Sequence, residues 1–281
     1  MSASIATQPA PSAGVAAFLR RPARLLIGGE WLEPESSVRI PVIDPATGAE
    51  VASIADANRA DVDKAVAAAR KAFEGTWARM LPADREALIW RLADLIDQHA
   101  DELAELESID NGKTKKMAGI VDVPGARNYF RYMAGWATKI EGSTIDISVG
   151  GPPGGRVNAF TRREPVGVVA QIIPWNFPLV MAAWKLGPAL AAGCTCVLKP
   201  AEQTPLTALR LGELIVEAGF PAGVVNILTG YGETVGAALV THPGVDKIAF
   251  TGSTLVGKLI NKAATDSLKR VSLEQIGRAH V

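Results

Sequence analysis

VGVVAQIIP (Val166–Pro174) opens a series of five apolar runs that continues with CTCVLKP (Cys194–Pro200), VVNILTG (Val224–Gly230), KIAFTG (Lys247–Gly252) and RVSLE (Arg270–Glu274). Four segments with helical spacing of their apolar residues lie between them. A strand buried on both faces reads as a near-continuous apolar run, and run, helix, run is the βαβ unit, whose crossover makes neighbouring strands parallel. The expected fold class is therefore α/β, built on a parallel sheet. Ligands of such sheets bind at the carboxyl ends of the strands. The residues just past each run are accordingly the candidates for chemistry: Pro174-Trp175-Asn176, Lys199-Pro200-Ala201-Glu202, Gly230-Tyr231-Gly232, Gly252-Ser253-Thr254 and Glu274.

Composition narrows the function classes. Lys plus Arg and Asp plus Glu are 29 each, which gives no electrostatic footprint for nucleic acid or an anionic membrane. No apolar run approaches the roughly twenty residues that span a bilayer. Met1–Ala17 is small, polar and weakly apolar, and the first arginines, Arg20 and Arg21, follow it, the reverse of a secretory signal, so the expected location is the cytoplasm. Cys194 and Cys196 stand two apart in one strand-like run, a spacing that suits packed core thiols better than a disulfide or a nucleophile. No metal site is read from the sequence.

Upstream, residues 1–24 are expected to be a flexible arm. Leu25–Leu32 and Arg39–Ile54 read as short strands, the second with a turn at Asp44-Pro45-Ala46-Thr47-Gly48. Apolar stripes at three-to-four spacing predict helices over Asp61–Phe73, Asp84–His99, Asp101–Ile109 and about Val121–Lys139, with Tyr129, Phe130, Tyr132 and Trp136 read as core and helix contacts. The Gly/Pro cluster 150–155, flanked by alternating β-prone stretches, predicts a hairpin within 142–165, an arm that reaches another part of the molecule or another subunit. The domain division expected is 1–24 arm, 25–141 helical part, 142–165 hairpin and 166–274 parallel core.

Each motif has a plain and a chemical reading. Gly252-Ser253-Thr254 is a helix cap or, because free amides and the positive end of a helix dipole face it, a phosphate site. Lys199 and Glu202 are a solvated ion pair or partners for ribose hydroxyls, where an acid would repel a 2′-phosphate and favour NAD over NADP. Pro174 and Pro178 fix the backbone around Asn176, which is a turn cap or a positioned donor for a developing oxyanion. Glu274 is a surface carboxylate or a general base.

Taken together, VGVVAQIIPWNFPLVMAAWKLGPALAAGCTCVLKPAEQTP (166–205), DKIAFTGSTLVGK (246–258) and LKRVSLE (268–274) resemble the aldehyde dehydrogenase superfamily, and the likeness extends over about Leu25–Glu274. Within it, IADANRADVDKAV, LPADRE, TKIEGST and NAFTRREPVGVV are most similar to phenylacetaldehyde dehydrogenases. The resemblance implies a Rossmann-like NAD-binding domain interrupted by a hairpin of an oligomerisation domain, with NAD as cofactor, a small-molecule aldehyde as substrate, and a homodimer or homotetramer at full length. It implies Asn176 as oxyanion donor and Glu274 as the base that activates water. It places Lys199 and Glu202 at the adenosine ribose and Ser253, with Gly252, at the pyrophosphate. Ile172, Ile173, Pro174, Trp175 and Gly232 would line the cofactor cleft.

The family reaction needs a cysteine that adds to the aldehyde, giving a thiohemiacetal and then a thioester that water hydrolyses. In the family that cysteine follows an LELGG motif by a few tens of residues. Here the motif begins at Leu273-Glu274 and becomes Gln275-Ile276-Gly277-Arg278-Ala279-His280-Val281. The common sequencing adapter AGATCGGAAGAGCACACGTCTGA, read from its third base, encodes Ile-Gly-Arg-Ala-His-Val and a stop, and its first two bases complete a Gln codon. Residues 275–281 are therefore expected to be a non-native tail on a fragment without the nucleophile. Three readings follow: aldehyde oxidation by the parent protein, a related acyl reductase that the Glu274 base argues against, and a half-length protein that only binds nucleotide or caps a subunit.

Overall fold

A computed structural model describes residues 10–148 and 157–275. In chain order the elements are α1 (Ala13–Arg20), β1 (Leu25–Ile27), β2 (Glu30–Leu32), β3 (Arg39–Ile43), β4 (Glu50–Ala55), α2 (Arg59–Glu74), α3 (Thr76–Arg79), α4 (Pro82–Gln98), α5 (Ala100–Asn111) and α6 (Lys115–Met117). A π-helical turn (Ala118–Asp122) leads into α7 (Val123–Ala134), followed by β5 (Thr144–Ile145), β6 (Ala159–Phe160), β7 (Val168–Ile172), α8 (Pro178–Ala191), β8 (Thr195–Lys199), α9 (Leu206–Ala218) and β9 (Val225–Ile227). A second π-helical turn (Gly232–Gly236), α10 (Ala237–Thr241), β10 (Lys247–Gly252), α11 (Thr254–Thr265) and β11 (Arg270–Gln275) complete the described chain.

The main sheet has seven strands in the order β11-β10-β7-β8-β9-β1-β2. The five runs that open the sequence argument form its parallel part, and β1 and β2 extend it antiparallel beyond β9. Side chains alternate across it as a period of two requires: Cys196 and Leu198 join one core, Val197 the other. The larger core lies under α4, α5, α7, α8 and α9, the smaller under α2, α10 and α11, so helices cover both faces. β3 and β4 pair only with each other.

Three expectations are corrected. Residues 1–24 are not all a flexible arm: Ala13–Arg20 is a helix whose Val15 is buried, because α1 packs on α5 and β4. The helix expected to reach Lys139 ends at Ala134, where Gly135 follows. Of its aromatics Phe130 is core and Tyr129 packs against that core and on Trp184 of α8, as expected, but Tyr132 and Trp136 are 60% and 45% exposed. Trp136 lies past the end of α7, so the helical spacing that grouped it with the others does not hold there. The hairpin pairs Thr144–Ile145 with Ala159–Phe160; its Gly/Pro turn lies outside the described residues, as do Ile276–Val281 of the expected tail. Gln275, the tail's first residue, ends β11 opposite Gly252.

Candidate functional site

Register brings the candidate residues to one edge. Ile172 stands opposite Lys199 on one side and Phe250 on the other, and Phe250 opposite Leu273. The chain therefore leaves β7, β8 and β10 at one level, carrying Pro174–Asn176, Pro200–Glu202 and Ser253 onto the same rim, with Glu274 opposite Thr251 beside them.

Each loop is held by its own chemistry. Pro178 occupies the first turn of α8, where its missing N–H costs nothing. Among the described residues Asn176 Oδ1 is buried with no hydrogen-bond partner, and no hydrogen bond engages Nδ2. Trp175 is 59% exposed, Ile172 is buried in the smaller core and Ile173 in the larger. Ser253 caps α11 by accepting a hydrogen bond from Val256 N at 3.3 Å, satisfying one free amide of that first turn. Gly230 turns the chain from β9 into the Gly232–Gly236 turn with φ of +144°, and a Cβ there would stand 2.4 Å from Val235. That turn covers Lys199: a Cβ on Gly236 would meet Ile172 Cδ1 at 3.8 Å and Lys199 Cδ at 3.9 Å, while one on Gly232 would meet open space.

Lys199 Nζ donates to Glu202 Oε2 at 3.1 Å and to Pro200 O at 3.0 Å. Burial lowers its pKa, against the pull of Glu202, Glu233 and Asp56. Burial also pushes Glu202 up, but Lys199 and neighbouring donors outweigh it and hold the carboxyl below its ordinary value.

Glu274 has partners the sequence did not announce. Lys185 Nζ lies 2.7 Å from its Oε1, and Thr251 Oγ1 donates to its Oε2 at 3.0 Å. Burial raises the Glu274 pKa, and Lys185 with Thr251 overcomes it, so the carboxyl is held low and ionised. The lysine approach falls outside hydrogen-bonding angles, and among the described residues Lys185 Nζ is buried with no aligned acceptor. Coulomb attraction depends on distance, so the ion pair stands despite its angle. Gln171 of β7 fixes the lysine from below by donating from Nε2 to Lys185 O at 2.8 Å. The signal for Lys185 and Gln171 was present as one cation and one amide in otherwise apolar runs, PLVMAAWKLGPALA and VVAQI.

The two cysteines are elsewhere. Cys196 pairs with Val169 and Val225 toward the amino ends of the strands, and Cys194 precedes β8. Both are buried, and burial raises both thiol pKa values.

The aldehyde dehydrogenase family model matches residues 31–281. A phenylacetaldehyde dehydrogenase of Pseudomonas fluorescens is 53% identical over 264 residues, 94% of this chain and 53% of that protein. Human retinal dehydrogenase 2 is 53% identical over 259 residues, 91% of this chain and 49% of its own length. The NAD+ complex of an aldehyde dehydrogenase from Bacillus cereus superposes with a TM-score of 0.92 at 49% identity, over 96% of this chain and 54% of that one. The chain thus spans about half the length of the curated relatives it matches. With the α/β sheet, its rim of site motifs and a family match over most of its length, the chain belongs to the aldehyde dehydrogenase family.

Proposed function

We propose that this chain is the nucleotide-binding half of an enzyme that oxidises an aldehyde to a carboxylic acid with NAD. The observation that carries the reading is the shared rim: Asn176, the Lys199–Glu202 pair, the α11 amino end at Ser253 and Glu274 leave neighbouring strands at one level. The residues fit a dinucleotide. Gly232 faces open space in the turn whose Gly236 lies over a buried Lys199, Glu202 offers carboxylate oxygens suited to ribose hydroxyls, and the first turn of α11 offers amides suited to phosphate. When bound, NAD would supply the acceptor for the hydrogen and electron pair leaving the aldehyde carbon. Asn176 Nδ2 would donate to the carbonyl oxygen as it gains negative charge. Glu274 would take a proton from water. Because Lys185 holds it ionised, it is a ready acceptor but a weak base until a water or substrate draws it from the lysine.

Glu202 supports NAD over NADP, because a 2′-phosphate would face a carboxylate. Equilibrium binding of NAD+ and NADP+ to the 281-residue chain tests this: NAD+ should bind more tightly, and equal affinity overturns it. Glu202→Gln should narrow the difference about fivefold, one charge pair near 4 Å being worth about 1 kcal/mol in water. Neither thiol lies on the rim, so this chain alone should give no NAD-dependent aldehyde oxidation; turnover above a no-protein blank sinks that expectation. A homodimer or homotetramer in the cytoplasm is the proposed setting of the full-length protein. Among the described residues no helix is long and apolar enough to cross a membrane.

A further inference from the structure

The carboxyl end of α5 grips the rim from below. Asn111 Nδ2 donates to Trp175 O at 2.6 Å, although 64 residues separate them. Two residues on, the Lys113 ammonium stands 3.7 Å from the centroid of the Phe177 ring. The same turn reaches the next loop, where Asp110 Oδ2 accepts from Leu206 N, in the first turn of α9, at 2.7 Å. Its own shape is fixed. Gly112 adopts φ of +83° with a Cβ position 2.8 Å from Pro45, Ser108 Oγ donates to Lys113 O at 2.6 Å, and Lys113 Nζ is tied to Asp122 at 2.9 Å.

The Trp175 carbonyl is a telling place for such a tether. Against the expectation that Pro174 and Pro178 fix the backbone around Asn176, each sets its own φ and restricts only the residue before it, Ile173 and Phe177, so the peptide between Trp175 and Asn176 keeps the freedom that decides where the Asn176 side chain departs. A peptide is a rigid plane, so holding its oxygen fixes ψ of Trp175 and φ of Asn176 together. The geometry points to Asn111 as a positioning residue: it orients the Trp175–Asn176 peptide before any ligand arrives, and so aims Asn176 Nδ2. Its importance to catalysis rests on the reading of Asn176 as an oxyanion donor. Its effect on the loop does not.

The chain has six tryptophans, so the full 281-residue protein labelled with 5-fluorotryptophan gives a 19F spectrum assignable by single Trp→Phe changes. In Asn111→Ala, and in the isosteric but donorless Asn111→Asp, the Trp175 resonance should move and sharpen toward that of the free amino acid. The buried Trp77 should stay put, and the thermal midpoint should fall by no more than the few degrees that one net hydrogen bond is worth. NAD+ affinity should fall about fivefold, the size of one net hydrogen bond. An unmoved Trp175 resonance in both variants overturns the proposal, and so does a Trp77 resonance that moves with it, since that reports general loosening. Wild-type protein that fails to bind NAD+ sinks the nucleotide reading instead, and the 19F result then decides this one alone.

Discussion

Two Lys–Glu pairs stand on the same rim and are built in opposite ways. Lys199 and Glu202 are three residues apart, with side chains 2% and 23% exposed and a contact of 3.1 Å. Lys185 and Glu274 come from α8 and β11, with side chains 3% and 52% exposed and a contact of 2.7 Å. In both the lysine is buried and the glutamate is the more exposed partner, so desolvation falls more heavily on the ammonium. The local lysine has a second acceptor in Pro200 O, whereas among the described residues the distant one has only Glu274. A buried cation with a single counter-charge depends wholly on the element that delivers it, and here that element is an edge strand of the sheet.

The largest effect expected from this contrast is at Glu274. Glu274→Gln leaves an ammonium buried without its partner and should cost about 3 kcal/mol in urea unfolding, whereas Lys185→Met frees a half-exposed carboxylate to rehydrate and should cost less than about 1 kcal/mol. Equal costs would break the claimed asymmetry.

A third carboxylate extends the comparison to a site with no adequate cation. Glu107 is fully buried, 3.8 Å from Lys113, which Asp122 holds more closely. The Leu179 amide and Thr207 hydroxyl face it without completing aligned hydrogen bonds. Burial, before any other cause, raises its pKa from 4.5 to about 7. The folded state therefore holds a proton between those values that the unfolded chain has lost. Stability should fall with rising pH across that window, by up to about 1.4 kcal/mol per pH unit. Glu107→Gln should flatten the slope; an unchanged slope places the titration elsewhere. Glu274 has the opposite sign. Its pKa is depressed, so its contribution is present above the ordinary carboxylate range and lost as pH falls through the folded-state value.

The smallest effect is expected at the local pair. Glu202→Gln leaves Lys199 its bond to Pro200 O, and the stability cost should be about 1 kcal/mol. A cost matching Glu274→Gln would show that the backbone acceptor does not replace the carboxylate.

The fold was legible where burial is uniform. Strands shielded on both faces, such as β7 and β8, announce themselves as apolar runs, and the alternation with helices then dictates parallel pairing. The α2 start was read two residues late, at Asp61 instead of Arg59, because the apolar stripe marks the buried face while the helix begins at the capping box of Asn58 and Asp61. The α1 helix escaped notice because a short helix in a weakly patterned segment owes its order to packing on α5 and β4. Tyr132 misled for a related reason: periodicity marks a face, but only a neighbouring element decides whether that face is covered.

The sequence by itself determined the α/β class, the positions of the βα loops, and contacts between residues close in the chain, such as Lys199 with Glu202, because sterics and short spacing act within a few residues. Tertiary structure alone decided that Lys185 meets Glu274, that Gln171 anchors Lys185, and that Asn111 tethers Trp175. Those contacts depend on strand order and register. Both are set by the packing of whole layers and leave no mark on local spacing.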